Sequence, residues 1–279
     1  MAKQIVLTAL DDVLLPADDV TGGWEHGLHA QRRADIAKLK AVGIAVIVFT
    51  QRDRTELEGV RSRLNLTDPF ITESGSAIFT PAKHNLFESP LGEKEGDYFV
   101  EVLGCPYVQA RAGLRVLANM ISHPLKGFGD FTVPQLQKSA KLSEADAHAA
   151  KAREFSEPFM TPKAVDADAL SKAAEGMGFK VILRAAAESR FSELVGSEAG
   201  LENAVQKLVM AYWALVGESD DGCEVVAISN RHQELALIEK ACEALDQVHF
   251  QPVLSAGAEK PADWLEMIAP YLNLSSENR

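Results

Sequence analysis

The stretch that decides the fold is IAVIVFT, residues 44–50. It carries no charge and is rich in β-branched residues, which suits a parallel strand covered on both faces; a strand with one wet face would alternate polar and apolar residues. Working outward, QIVLTAL (Gln4–Leu10) is a second run of this kind, ended by the acidic turn formers Asp11 and Asp12. Between the two runs, RRADIAKLKA (Arg32–Ala41) has helical spacing and stops at Val42-Gly43. After them Thr55–Leu64 is helical again, with Asn65 near its end. Strand, helix, strand, helix with such apolar strands predicts an α/β fold built on a doubly wound, mostly parallel, Rossmann-like sheet.

The same alternation returns toward the C-terminus. Gly200–Trp213 is a helix with Leu201, Val205, Leu208 and Tyr212 on its apolar side. Glu224–Ile228 is a strand, Gln233–Ala244 a helix, Phe250–Leu254 a short strand and Trp264–Tyr271 a closing helix. The middle is different in character. Tyr98–Leu103 alternates like a half-buried strand, Val108–Met120 and Ser143–Ala152 are amphipathic helices, and Lys180–Arg184 is another strand. The expected organisation is an α/β core from residues 1–81 and 192–279, interrupted by an α+β cap over 82–191. The final SSENR reads as disordered.

Composition narrows the function classes. The 279 residues carry 28 Lys+Arg against 40 Asp+Glu, a formal net charge of −12. So acidic a surface repels phosphate backbones and anionic lipid, so neither a nucleic acid nor a membrane is an expected partner. The N-terminal apolar run meets Asp11 too soon to serve as a signal peptide. No later stretch reaches the ~18 apolar residues of a membrane span, and a cytoplasmic location is expected. Cys105, Cys223 and Cys242 are scattered and read as packed, reduced thiols. The histidines show no site-like spacing, and Trp24, in the loop after the first strand, reads as packing.

Ligands of open α/β sheets sit beyond the carboxyl ends of the strands. The segments to inspect are therefore Thr8–Val13, Thr50–Arg54, Glu198–Gly200 and Ser229–Glu234. The cap supplies longer patterns: Gly127–Asp130 (GFGD), and Lys141–Phe159, which ends in Arg-Glu-Phe-Ser-Glu-Pro-Phe. Thr72–Ile78 (TESGSAI), Leu103–Tyr107 (LGCPY) and Pro261–Ile268 (PADWLEMI) accompany them. With these segments the chain resembles the haloacid-dehalogenase-like phosphatases, and within them the mannosyl-3-phosphoglycerate phosphatase family, over almost its whole length.

The resemblance implies four catalytic motifs, and the chain departs from each. The first, D-x-D-G-T, corresponds to Ala9–Val13. The acid/base position is Asp11, but the nucleophile position is Ala9, whose methyl group cannot form an aspartyl-phosphate. Alternation along an extended strand end would turn Asp12 away from the face shared by Ala9 and Asp11. The second motif's phosphate-binding hydroxyl is Thr50, followed by Gln51-Arg52-Asp53 where the family has Ser-Lys-Thr. The third motif's lysine position is Ala199, in Glu198-Ala199-Gly200. Lys207 lies eight residues on, roughly 12 Å along a helix, and reads as solvated surface. The fourth motif corresponds to Ser229–Ile238, with Asn230 at the principal metal-ligand position and Glu234 the carboxylate that remains.

Asp11, Asn230 and Glu234 are thus the implied metal ligands, a set poor in the hard oxygen donors that Mg²⁺ needs; either no cofactor or weak Mg²⁺ is expected. Thr50, Arg52 and Arg231 form an implied phosphate site. From the cap the resemblance places Arg153, Ser156, Glu157 and Arg190 near the substrate, although Glu188-Ser189 replaces the family's Gly-Gly before Arg190. Arg153 and Glu157 would instead form an i,i+4 ion pair if their segment is helical. Three readings stay open: a catalytically inactive protein binding a sugar-phosphate-like small molecule or a partner protein, a working Mg²⁺-dependent sugar-phosphate phosphatase, and a structural or regulatory subunit.

Overall fold

The computed structural model describes residues 3–16, 26–83, 91–184, 190–216, 222–256 and 264–274. Trp24, His84, Glu188, Ser189, residues 261–263 and the final SSENR lie outside the described residues, as does the side chain of His26.

Its main sheet has eight strands in the order β11-β10-β1-β2-β3-β4-β6-β5. The parallel part is β1 (Lys3–Ala9), β2 (Ala45–Phe49), β3 (Phe70–Thr72), β10 (Cys223–Ser229) and β11 (Val248–Leu254). IAVIVFT forms β2, and every residue of that strand is buried. β1 lies between β10 and β2, with Leu7 in register with Ala227 on one side and Ile47 on the other. β11 is an edge strand, where Pro252 costs no ladder bond to a further neighbour.

The helices of this layer are α1 (His26–Ala41), α2 (Arg54–Leu64), α7 (Leu201–Val216), α8 (His232–Glu243) and α9 (Trp264–Ile268). α1 begins well before the expected Arg32 and ends at Gly43, whose φ of +82° takes the chain out of the helix. Asn65 caps α2 in the left-handed conformation, and Asp53 accepts the Glu56 amide at its start. The chain winds from β1 to β2 and β3 on one side and returns to β10 and β11 on the other. The strand order therefore reverses between β1 and β10, and a crevice opens at their carboxyl ends.

β4 (Ala77–Pro81), β5 (Glu93–Glu95) and β6 (Tyr98–Val102) extend the sheet antiparallel beyond β3. A second sheet, β7-β9-β8, consists of β7 (Ser156–Met160), β8 (Phe179–Ile182) and β9 (Phe191–Gly196). α3 (Tyr107–Met120), α4 (Val133–Ala140), α5 (Glu144–Ala149) and α6 (Ala167–Glu175) accompany it. Leu114, Leu117, Phe159, Leu170 and Leu194 form a separate apolar core there.

Both expected edges of the inserted unit, 82 and 191, shift. Residues 93–102 belong to the main sheet because the apolar side of β6 packs on its core: Val100 is buried there, and Tyr98 meets Phe70 and Phe79 edge-on. β9, expected to begin the returning core, instead pairs with β7 and β8. The expected helix Ser143–Ala152 is the shorter α5. All three cysteines are buried free thiols, and burial pushes Cys223 and Cys242 up to about 12. Among the described residues no helix is long and apolar enough to cross a membrane.

Candidate functional site

Three strand ends converge at the crevice. β1 stops at Ala9, and the chain folds back at once: Leu14 N donates to Ala9 O and Leu15 N to Leu10 O, at 3.2 and 3.1 Å. Leu10, Leu14 and Leu15 are fully buried. Asp12 adopts a φ of +59°, so strand alternation ends at Ala9 and does not orient Asp12, contrary to the extended geometry expected there. Thr50 follows β2, and Asn230 and Arg231 follow β10. Ala9, Asp11, Thr50, Asn230, Arg231 and Glu234 line one cleft of about 20 Å³, space for one water-sized body.

The charges around that cleft are paired within the protein. Arg52 Nε stands 2.6 Å from Asp11 Oδ1 and its Nη1 2.9 Å from Glu56 Oε1. Thr50 Oγ1 donates to Asp11 Oδ2 at 3.1 Å and accepts the Arg52 amide at 3.1 Å. On the β10 side, Ser229 Oγ donates to Glu234 Oε2 at 2.6 Å, and Arg231 Nη1 lies 3.3 Å from Glu234 Oε1. Burial works against the charge on Arg52, but Asp11 and Glu56 outweigh it and hold the guanidinium protonated beyond its ordinary range. For Glu56 burial prevails: its carboxyl is pushed up to about 7 despite Arg52, with Asp53 adding repulsion. Arg52 and Arg231, expected to face a phosphate, are thus each engaged with a carboxylate.

Ala199 is fully buried, and its carbonyl accepts a hydrogen bond from Lys180 Nζ at 3.1 Å. An ammonium therefore reaches the residue where the resemblance implies one, carried by β8. Lys180 sits in the strand expected from the sequence, but only the tertiary pairing brings it to α7. Lys207 lies on the surface, 2.6 Å from Glu101.

The expected cap residues divide. Ser156 is buried in the seam between the two sheets, and the Arg153 side chain beside it is 8% exposed. Glu73, wholly buried after β3, accepts the amides of Glu154 and Phe155 at 2.9 and 3.1 Å and the Ser156 hydroxyl at 2.6 Å. Arg153 Nη1 donates to Gln51 O at 2.8 Å and lies 4.0 Å from Glu73. The i,i+4 pair of Arg153 and Glu157 does not form: α5 ends at Ala149 and Glu157 lies in β7, where it accepts the Gly129 amide at 3.0 Å. Burial raises the Glu157 pKa. GFGD is thereby a braced turn, with Asp130 also held 2.6 Å from Arg111. Arg190 is exposed.

Sequence reading missed Glu73, Arg184 and Glu193. Arg184 donates to Glu193 at 2.8 Å and to Ser74 at 3.1 Å. Burial alone would raise the Glu193 pKa, but Arg184 and Arg153 bring it below its usual range.

A larger cavity, about 340 Å³, lies beside the small cleft, between β8 and the starts of α7 and α8. Gly75 closes its floor: its φ is +87°, and a Cβ there would stand 2.3 Å from the carbonyl carbon of Gly200. The volume suits a small-molecule ligand.

No protein-family profile matches the chain. Sequence relatives include a glucosyl-3-phosphoglycerate/mannosyl-3-phosphoglycerate phosphatase of Persephonella marina, 28% identical over 77% of this chain and 74% of that one. The protein of the same name from Methanococcoides burtonii is 29% identical over 91% and 82%. A mannosyl-3-phosphoglycerate phosphatase of Pyrococcus furiosus is 36% identical over 44% and 49%. Among solved structures, a haloacid dehalogenase-like hydrolase from B. subtilis aligns over 94% of this chain and 98% of its own, with a TM-score of 0.53 at 12% identity. One from Bacteroides thetaiotaomicron aligns over 96% and 100%, with a TM-score of 0.54 at 14% identity. The chain thus has the fold of solved haloacid dehalogenase-like hydrolases, and its sequence is similar to those of mannosyl-3-phosphoglycerate phosphatases.

Proposed function

We propose that this chain keeps the fold of its phosphatase relatives but not their chemistry, and binds a phosphorylated organic ligand without cleaving it. The observation that carries this reading is the pairing of Asp11 with Arg52 and of Glu234 with Arg231. Fixed guanidinium groups stand at both carboxylates that the resemblance assigns to magnesium.

The donor set does not fit Mg²⁺. That ion takes near-octahedral oxygen, including carboxylate, whereas Asp11 and Glu234 already accept from arginines, Ala9 offers no donor and Asn230 offers an amide. Among the described residues no cluster of three His, Cys, Asp or Glu side chains is placed to hold a metal. A methyl group at position 9 provides no nucleophile. Phosphoryl transfer rests on positioning and on neutralising the developing charge, so a site lacking the attacking group and the divalent cation is left with binding alone. Backbone amides at the start of α7 and the Lys180 ammonium of the adjoining cavity supply that binding.

A second reading, a working Mg²⁺-dependent phosphatase, draws on the activity named for the relatives and on Asp11 still hydrogen-bonded to Thr50. Purified protein with Mg²⁺ separates the two. Phosphate release from mannosyl-3-phosphoglycerate or an aryl phosphate is expected to stay at the buffer control. Metal-dependent release that disappears in Asp11→Asn would establish the second reading instead.

A further inference from the structure

We infer that the 340 Å³ cavity takes an organic anion with an apolar body, and that Lys180 supplies the charge that holds it. This rests on the non-hydrolytic binding reading and specifies its ligand. Three observations meet in this cavity. The first is its wall: Phe49, Ile71, Val181, Leu201 and Leu237 all line it. The resemblance implies a sugar body, and each hydroxyl of a polyol facing those five side chains, and not the Thr50, Gln51, Ser74 and Gln233 of the same lining, would lose its water without gaining a partner. A ring or short alkyl chain loses nothing there and buries apolar surface.

The second observation concerns charge. Three cations line the cavity, Lys180, Arg184 and Arg231. Arg184 is taken by Glu193 and Arg231 by Glu234. Glu202, an anion in the same lining, is taken by Lys240 at 2.9 Å. Lys180 is the cation of the lining whose contact among the described residues is a carbonyl, that of Ala199, and not a carboxylate. Lys180 is an exposed residue, so water completes the shell of its ammonium, and an anion arriving beside it exchanges that water for an ion pair without displacing a carboxylate.

The third is the setting of that ammonium. It stands at the start of α7, a 16-residue helix whose opening residues Gly200, Leu201 and Glu202 belong to the same wall. The helix's positive end and Lys180 therefore reinforce each other. Apolar wall and unmatched cation together select an amphipathic anion over a bare or polyhydroxylated one.

Calorimetric titration of the full chain with phenylphosphonate, inorganic phosphate and mannose 6-phosphate tests this. Phenylphosphonate has no cleavable ester, so binding is read without turnover. It is expected to bind about tenfold more tightly than either other probe. Lys180→Met should weaken it about tenfold, Lys180→Arg should retain it, and Leu237→Gln should reduce the gain over inorganic phosphate. Mannose 6-phosphate binding as tightly as phenylphosphonate would overturn the apolar-body inference while leaving non-hydrolytic binding intact. Unchanged phenylphosphonate affinity in Lys180→Met would overturn the role of Lys180. Phosphate released from mannose 6-phosphate would overturn the non-hydrolytic reading but not this one, and no heat from any probe would overturn both.

Discussion

Two charged clusters sit at the same end of the main sheet, and they differ in what their charges hold together. At the ends of β1, β2 and β10, Asp11, Arg52, Arg231 and Glu234 pair with near neighbours and remain partly open to solvent, with the buried Glu56 carboxyl beneath Arg52. At the seam, Glu73, Arg153, Glu193 and Arg184 are almost completely buried and tie loops of the main sheet to β7 and β9. The first cluster is a crevice whose charges close on each other; the second is a joint between two sheets. The same residue types thus perform unlike tasks according to burial, because an ion pair in low dielectric is costly to break while a wetted one exchanges its partner for water.

The two clusters should differ most at Glu73. Replacing it with alanine strands two buried backbone amides and a hydroxyl and removes one of the anions beside Arg153, and is expected to cost about 3–5 kcal/mol in denaturant unfolding. A cost under 1 kcal/mol would show that the seam is not the joint described. Arg52→Met, in the more open cluster, should cost about 1–2 kcal/mol, and a loss equal to that of Glu73→Ala would erase the distinction.

A pH profile sharpens the first cluster further. Glu56 holds its proton up to about 7 in the folded chain, against an ordinary value of 4.5. Between those values the folded state binds a proton that the unfolded state has released, so this group makes stability fall as pH rises through the window. Glu56→Gln should flatten that fall in melting temperature between about pH 4.5 and 7, and an unaltered profile would place the proton elsewhere. The smallest effect belongs to a control outside both clusters: Lys207→Ala removes a surface pair with Glu101 and should change stability by less than about 0.5 kcal/mol.

The parallel core was legible because its strands are covered on both faces, which leaves uninterrupted apolar runs such as IAVIVFT. β3, β7 and β9 were not legible: β3 has three residues, and SEPFM and FSELVG carry buried carboxylates, so their apolar pattern is broken by the residues that make the seam. The strand-end segments were found because an open sheet directs ligands there, and Ala9, Asp11, Thr50 and Asn230 do meet in one cleft. What sequence could not supply was pairing. Arg52 and Arg231 read as free cations until Asp11 and Glu234 were seen beside them. Lys180, nineteen residues before Ala199, reaches that residue only through the fold of β8.

If Arg52 takes the place of a divalent cation at Asp11, as proposed, a manganese titration followed by electron paramagnetic resonance reads it directly. The free Mn²⁺ signal should persist at full intensity when the protein is added, in wild type and in Asp11→Asn alike. Stoichiometric loss of that signal with wild type, restored in Asp11→Asn, would show that the site still takes a metal and that Arg52 does not replace it.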